Sequence, residues 1–331
     1  MLRLPPFEYI APTTVAEAVR LKAQHGADAM YVAGGTDLYP NMKRRQFEPR
    51  VLIGLRGISE LYGVANGDGL TIGAGTTLTQ LSQHPHVTER YPALARAAGL
   101  VSSPQLRSAG TIGGNLCVDT RCTYYNQTLQ WRKALGFCLK KDGDTCWVAL
   151  SSPRCLAVSS SDCAPVAIAL DAQVRLSGPD GERTIPARAL YRNDGMEYLE
   201  KSPDELLVSL HLPPRAGWRA TYLKLRRRGS IDFPILGVAA ALLLDDNGTC
   251  RDARIVLGAV ASQPLPVDEA AEMLVGQRVT ADLIQEVAQV AARPAKPLDN
   301  TDMALSYRKK VTRVYVARAL AELADVVLPH S

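Results

Sequence analysis

Four cysteines fall within one short stretch, at Cys122, Cys138, Cys146 and Cys155, in a chain that has seven among its 331 residues. The gaps between them are fifteen, seven and eight residues. Structural zinc favours knuckles in which two cysteines stand two to four residues apart, and this stretch has no such pair. Disulfides are rare in the reducing cytoplasm. Inert buried thiols would not gather four of seven in one place. Four thiolates suit a [4Fe–4S] cluster, which needs no knuckle. The iron–sulfur reading therefore leads, with zinc and inert thiols as alternatives. Cys117, Cys163 and Cys250 lie outside the stretch and are read as non-ligands.

A second chemistry is written in three turns that combine glycine with threonine, serine or asparagine: "AGGTDL" (33–38), "GAGTTL" (73–78) and "GTIGGN" (110–115). Glycine lets the backbone approach closely, so successive N–H groups can converge on an anion while small hydroxyls add donors. One such turn is weak evidence, because tight turns use the same residues. Three within 115 residues suit a dinucleotide, which has several phosphate and ribose groups to hold. None is a Rossmann fingerprint: "GAGTTL" lacks the third glycine and a ribose acid at the expected distance, and the chain has no P-loop. The residues alone read as a non-Rossmann nucleotide or dinucleotide site.

The elements that must position these turns are short. "TTVAEAVRLKAQHG" predicts a helix capped by Thr13 or Thr14 and stopped by Gly26. "AMYVAGG" is a strand running into the first turn, and "LTIGAGTTLTQL" is a strand, a turn and a helix start at Thr76 or Thr77. "SPQLRSAGTIGGNL" reads as a glycine-rich turn. "DCAPVAIALDAQVRLSG" predicts a short helix and then a strand, and "ELLVSLHLP" a strand closed by Pro213 and Pro214. Beyond a boundary near 215–220, "ATYLKLRRR", "GVAAALLLDD" and "CRDARIVLGAV" predict three strands, the last two joined through Asn247–Gly248. A helical tail follows, with Leu305, Val311, Val314, Tyr315 and Leu320 as its core-facing stripe.

Composition sets the class. Hydrophobic residues make up 47% and charged residues 21%, which fits an ordinary globular protein. The start, "MLRLPPFEYIAPTT", has no apolar leader region, and the longest apolar run, Ile235 to Leu244, is too short to span a bilayer. The expectation is a cytoplasmic chain without membrane contact. Net charge is +5, too weak to argue for nucleic acid. Between Arg121 and Val158, however, six cations (Arg121, Arg132, Lys133, Lys140, Lys141, Arg154) face two anions (Asp142, Asp144), so most of the excess surrounds the cysteines.

Taken together, "YVAGGTDLYP", "IGAGTTLTQL", "SPQLRSAGTIGGNLC", "SDCAPVAIALDA" and "SYRKKVTRVYVARAL" resemble, in order and spacing, the FAD-binding subunits of the molybdenum hydroxylases, the xanthine dehydrogenase family. The resemblance covers nearly the whole chain. It implies an α+β protein. Residues 1–216 would form a two-part FAD-binding domain of the vanillyl-alcohol-oxidase/PCMH type. Residues 217–331 would form a C-terminal domain of the CO dehydrogenase flavoprotein type, a three-stranded antiparallel sheet with helices. It also implies contacts. Ala33, Gly34, Gly35 and Thr36 would give backbone and hydroxyl donors to the pyrophosphate, with Val32, Asp37 and Leu38 flanking. Thr76, Thr77, Ser103, Gly110, Thr111, Gly113, Gly114 and Asn115 would make further FAD contacts. Asp162 matches an acid near the flavin or its ribityl chain, and Leu207 and Lys224 match positions lining the ring. A cation at Lys224 would stabilise the reduced anionic flavin.

In most members of that family "GGNL" is followed within a few residues by "SD". Here an insertion, about residues 121–158, carries all four cysteines of the opening. "DTRCTYYNQTLQWRKALGFCLKKDG" resembles the insertion of 4-hydroxybenzoyl-CoA reductase β subunits, and some bacterial aldehyde oxidoreductase FAD subunits carry a related one. Lys133, Lys140 and Lys141 would offset the negative cluster or dock an acidic ferredoxin. The resemblance then implies one subunit of a complex, with a molybdopterin-binding large subunit and a [2Fe–2S] small subunit as partners. Electrons would pass from reduced ferredoxin through the [4Fe–4S] cluster and FAD to the [2Fe–2S] centres and molybdenum, for reductive dehydroxylation to benzoyl-CoA. The alternatives are an aldehyde or aromatic-substrate oxidoreductase with outward flow, and a non-enzymatic nucleotide-binding module stabilised by zinc or a cluster.

Overall fold

The computed structural model describes residues 2–328. The chain opens with a small parallel sheet, β1 (Glu8–Ile10), β2 (Ala29–Val32) and β3 (Val51–Gly54), in the order β1-β3-β2. Parallel strands need a crossover, and the helix Val15–His25 supplies it between β1 and β2. Thr14 caps that helix by accepting from the Glu17 amide, and Gly26 ends it, as the sequence predicts. The helix and sheet enclose their own core, built on Val15, Ala18, Val19, Ile53 and Ile58.

The second sheet is antiparallel: β4 (Val64–Gly67), β5 (Gly69–Gly73), β6 (Gln173–Gly178), β7 (Gly181–Pro186) and β8 (Leu206–Leu212), in the order β4-β5-β8-β6-β7. It packs against the helices Pro92–Gly99 and Cys163–Ala169, the latter buried along its whole length. The stretch 103–116 departs from expectation. It holds two short helices, Pro104–Arg107 and Ile112–Leu116, because Ser103 and Thr111 each cap a turn by accepting from the amide three residues on.

The C-terminal sheet has four antiparallel strands, not three: β9 (Trp218–Leu225), β10 (Leu236–Leu244), β11 (Cys250–Gly258) and β12 (Leu265–Pro266), in the order β12-β11-β10-β9. The extra strand is two residues long, too short to leave a pattern in sequence. Its Pro266 has no N–H to donate, which suits a strand at the sheet edge. β10 is apolar on both faces for a reason. Ala239 joins the core of the first domain, while Val238, Ala240 and Leu242 join the core under the helices Ala281–Ala291 and Leu305–Ala324. The two domains therefore share a packed boundary. On the last helix the predicted stripe is rotated. Leu305 is 43% exposed, and the buried face runs through Arg308, Val311, Thr312, Val316 and Leu320. Among the described residues, no helix is long and apolar enough to cross a membrane.

Candidate functional site

The fold brings the three glycine turns into direct backbone contact. The Leu78 amide donates to the Gly110 carbonyl at 2.9 Å, Ile112 to Thr76 at 3.0 Å, and Gly113 to Ala74 at 2.9 Å. A Cβ added at Gly34 would lie 2.0 Å from the Ala109 carbonyl oxygen, so the first turn can meet the third only as glycine. Gly35 follows at φ +68°, a conformation side chains rarely adopt. Thr77 closes a capping box with Gln80, and Thr111 accepts from the Gly114 amide at 3.1 Å. Both hydroxyl oxygens accept from the backbone; the Thr77 O–H in turn donates to Gln80 Oε1 at 3.0 Å, and the Thr111 O–H is left to donate. The result is a cradle of close-packed turns, residues 33–36, 76–77 and 110–115, in which the amides of Thr76, Thr77, Gly110 and Ile112–Asn115 donate within the chain and hold the turns together.

Asn115 joins that cradle to the "SD" segment. Its Oδ1 accepts from the Ser161 hydroxyl at 2.7 Å and the Cys163 amide at 3.1 Å. Next to it, Asp162 is held from the other domain: Tyr222 donates to Oδ1 at 2.8 Å and Lys224 to Oδ2 at 3.0 Å. Tyr222 and Lys224 alternate on β9 and so share a face. Lys224 also donates to the carbonyls of Leu100 (3.0 Å) and Asp232 (3.3 Å), and its side chain is fully buried. Burial lifts the Asp162 carboxyl above its ordinary range, and Lys224 and Tyr222 pull against that. Leu207 sits in the core against the second sheet, and Val32 in the small core below the first turn. Ser103 is buried as a helix cap.

The insertion is an ordered lobe closed at its neck by paired hydrogen bonds between Arg121 and Val158 (2.8 and 2.7 Å). It contains one helix, Leu129–Leu135, capped by Thr128, and otherwise irregular chain. Cys122, Cys138, Cys146 and Cys155 are all buried and line one cavity with Tyr124, Lys140 and Trp147. Burial lifts the Cys122 thiol to about 12, with Cys155 and Cys138 pushing the same way. It lifts Cys155 to about 11, with Cys146 and Cys138 adding to the effect. Cys122 therefore senses Cys138 and Cys155, and Cys155 senses Cys138 and Cys146. Gly195 packs directly on this group, since a Cβ there would meet the Cys155 sulfur at 2.6 Å. Among the described residues, no group of three or more His, Cys, Asp or Glu side chains is placed to hold a metal ion. The four thiols line one cavity and are the donor type that a [4Fe–4S] cluster takes, one thiolate to each iron. Cys163 and Cys250 lie in the two main cores, away from the cavity.

Several residues that matter here carry no signal in sequence. Arg121, at the neck, pairs with Asp37 of the first glycine turn, donates to Asn41 at 3.4 Å and stacks on the Phe233 ring at 4.4 Å. Burial pushes its guanidinium down to about 10. It thus joins the insertion, the first turn and the β9–β10 loop. Arg132 donates from Nη2 to the Arg44 and Arg45 carbonyls, and Gln46 to the Tyr125 carbonyl at 2.6 Å. On the other side Asn300 donates to the Leu156 carbonyl at 2.7 Å. Of the three lysines expected to offset cluster charge, Lys133 and Lys141 reach solvent and Lys140 is buried.

An α+β chain with a three-turn backbone cradle, a separate antiparallel domain and a buried acid–lysine link between them defines a class. Residues 5–215 match the family described as the FAD binding domain in molybdopterin dehydrogenase, and residues 220–323 the CO dehydrogenase flavoprotein C-terminal domain. The chain belongs to this family, the FAD-binding oxidoreductase subunits of the molybdenum hydroxylases. Among its relatives it is 32% identical over 320 residues to the carbon monoxide dehydrogenase medium chain of Hydrogenophaga pseudoflava, covering 96% of each. It is 33% identical over 326 residues to the aldehyde oxidoreductase FAD-binding subunit PaoB of Escherichia coli (strain K12), covering 96% of this chain and 99% of that one. The reconstituted CO dehydrogenase from Oligotropha carboxidovorans superimposes with a TM-score of 0.80 at 28% identity, over 98% of this chain and 99% of that one.

Proposed function

We propose that this chain is the FAD and [4Fe–4S] subunit of a cytoplasmic 4-hydroxybenzoyl-CoA reductase. Its partners would be a molybdopterin-binding large subunit and a [2Fe–2S] small subunit, with reduced ferredoxin as the donor. The observation that carries the cluster is the convergence of Cys122, Cys138, Cys146 and Cys155 on one buried cavity. When bound, the flavin exchanges electron pairs with one-electron centres, and an iron–sulfur cluster carries single electrons. The chain's own residues supply position and charge. Ala33–Thr36, Thr76, Thr77, Gly110, Thr111, Gly113, Gly114 and Asn115 would hold the dinucleotide, with Val32, Asp37, Leu38 and Ser103 supporting those turns. Asp162 and Lys224 would stand near the ring as a pair, and Leu207 would back it from the core.

Similarity to an aldehyde oxidoreductase subunit supports a second reading, in which electrons leave through this chain. Two assays decide. Anaerobically purified protein should hold about four iron per FAD, and zinc, or flavin without iron, would sink the cluster. The reconstituted complex should then consume 4-hydroxybenzoyl-CoA with a low-potential donor. Oxidation of aldehydes with an acceptor, and no reductase activity, would favour outward flow.

A further inference from the structure

Lys140 occupies a singular place in the insertion. It lines the four-cysteine cavity, and its side chain is 6% exposed. Its ammonium donates to Asp119 Oδ1 at 2.6 Å, to the Gly195 carbonyl at 2.6 Å and to the Thr120 hydroxyl. The rings of Tyr125 and Tyr198 lie 4.7 and 5.4 Å from it. Gly195, which holds it, is the same residue that packs on the Cys155 sulfur. Asp119, also buried, does not reach the cavity wall. Of the pair, Lys140 is the member that lines the cavity, and its charge acts on the Cys155 thiol. Lys133 is exposed and Lys141 pairs with Asp142 near the surface, so water screens both.

We propose that Lys140, oriented by Asp119, Thr120 and Gly195, is the residue that sets the reduction potential of the four-cysteine centre. This rests on the cluster reading above. One-electron reduction adds a negative charge in the cavity and breaks no bond, so a fixed buried cation favours it and the Asp119 carboxylate opposes it. Oriented charges in a water-poor site act at full strength, because nothing need reorganise around them.

The test is potentiometric titration of the holoprotein with dithionite, followed by electron paramagnetic resonance, with iron and FAD measured for each variant. Lys140→Met should shift the reduced-to-oxidised ratio at fixed potential at least about tenfold toward oxidised, ~59 mV for one electron. Asp119→Asn should move it in the opposite direction, and Lys133→Met should leave it unchanged. Should Lys140→Met fail to retain iron, Asp119→Asn and Lys133→Met decide alone. Wild-type protein with FAD and no iron would overturn the cluster reading itself. Full iron with wild-type potentials in the Asp119 and Lys140 variants, or an equal shift from Lys133→Met, would overturn the role of Lys140 only.

Discussion

Lys224→Met isolates a buried ion pair that spans the two domains at the cradle. In the native chain Lys224 satisfies Asp162, Leu100 and Asp232 from a fully buried position. Methionine fills similar space and leaves the Asp162 carboxylate with Tyr222 as its close donor. Breaking a buried pair from one side costs about 3–5 kcal/mol, because the remaining charge is uncompensated. At roughly 2 °C per kcal/mol for a chain of this size, the melting temperature should fall by about 6–10 °C. The sign of the pH dependence follows from Asp162. Its carboxyl is already raised by burial, and removing the lysine that lowers it raises it further. A folded state that holds the proton more tightly than the unfolded one loses stability as pH rises from the unfolded value, about 3.9, to the folded one. The variant should therefore recover on acidification, by about 1.4 kcal/mol per pH unit within that window. Adding Asp162→Asn should restore most of the loss at neutral pH, since the amide still accepts from Tyr222. Urea unfolding of FAD-free protein, followed by circular dichroism at pH 7.5 and 5.5, measures all three. A loss under about 1 kcal/mol, a gap to wild type that widens on acidification, or no recovery in the double variant would refute the reasoning.

Three further outcomes follow from the site. Gly34→Ala drives a Cβ onto the Ala109 carbonyl oxygen, which only separation of the two turns can relieve; FAD affinity should fall about 100-fold, or ~2.7 kcal/mol, in a flavin fluorescence titration. Arg121→Ala removes the contacts from the insertion neck to Asp37, Asn41 and Phe233, so flavin retention on gel filtration should drop about tenfold while iron content holds. Cys138→Ser should abolish the cluster signal and leave FAD bound, because the cavity and the cradle are separate; full retention of iron would remove Cys138 from the ligand set.

What the sequence disclosed and what it hid divide along physical lines. Local rules were legible: Thr14 as a cap, Gly26 as a stop, and β10 as an apolar strand all depend on neighbours within a few residues. The four cysteines and three glycine turns were legible because their residue types are costly to place without a use. Charged residues gave types without directions. Nothing in "LKKDG" separates Lys140 from Lys141, yet one is buried on Asp119 and the other reaches solvent. The difference arises from a partner outside the insertion, and from Gly195, fifty-five residues away. The roles of Arg121 and of the Lys224–Asp162 pairing were likewise hidden, although Lys224 itself was expected near the flavin ring, since each is defined by contacts that exist only after separate elements pack. The rotated stripe of the last helix has the same origin. Arg308 is buried there because its guanidinium donates to the Leu298 and Ala259 carbonyls, a use for an arginine that hydrophobic periodicity cannot register. The cradle could be read from the chain, whereas the partners of the buried cations around it come from tertiary structure.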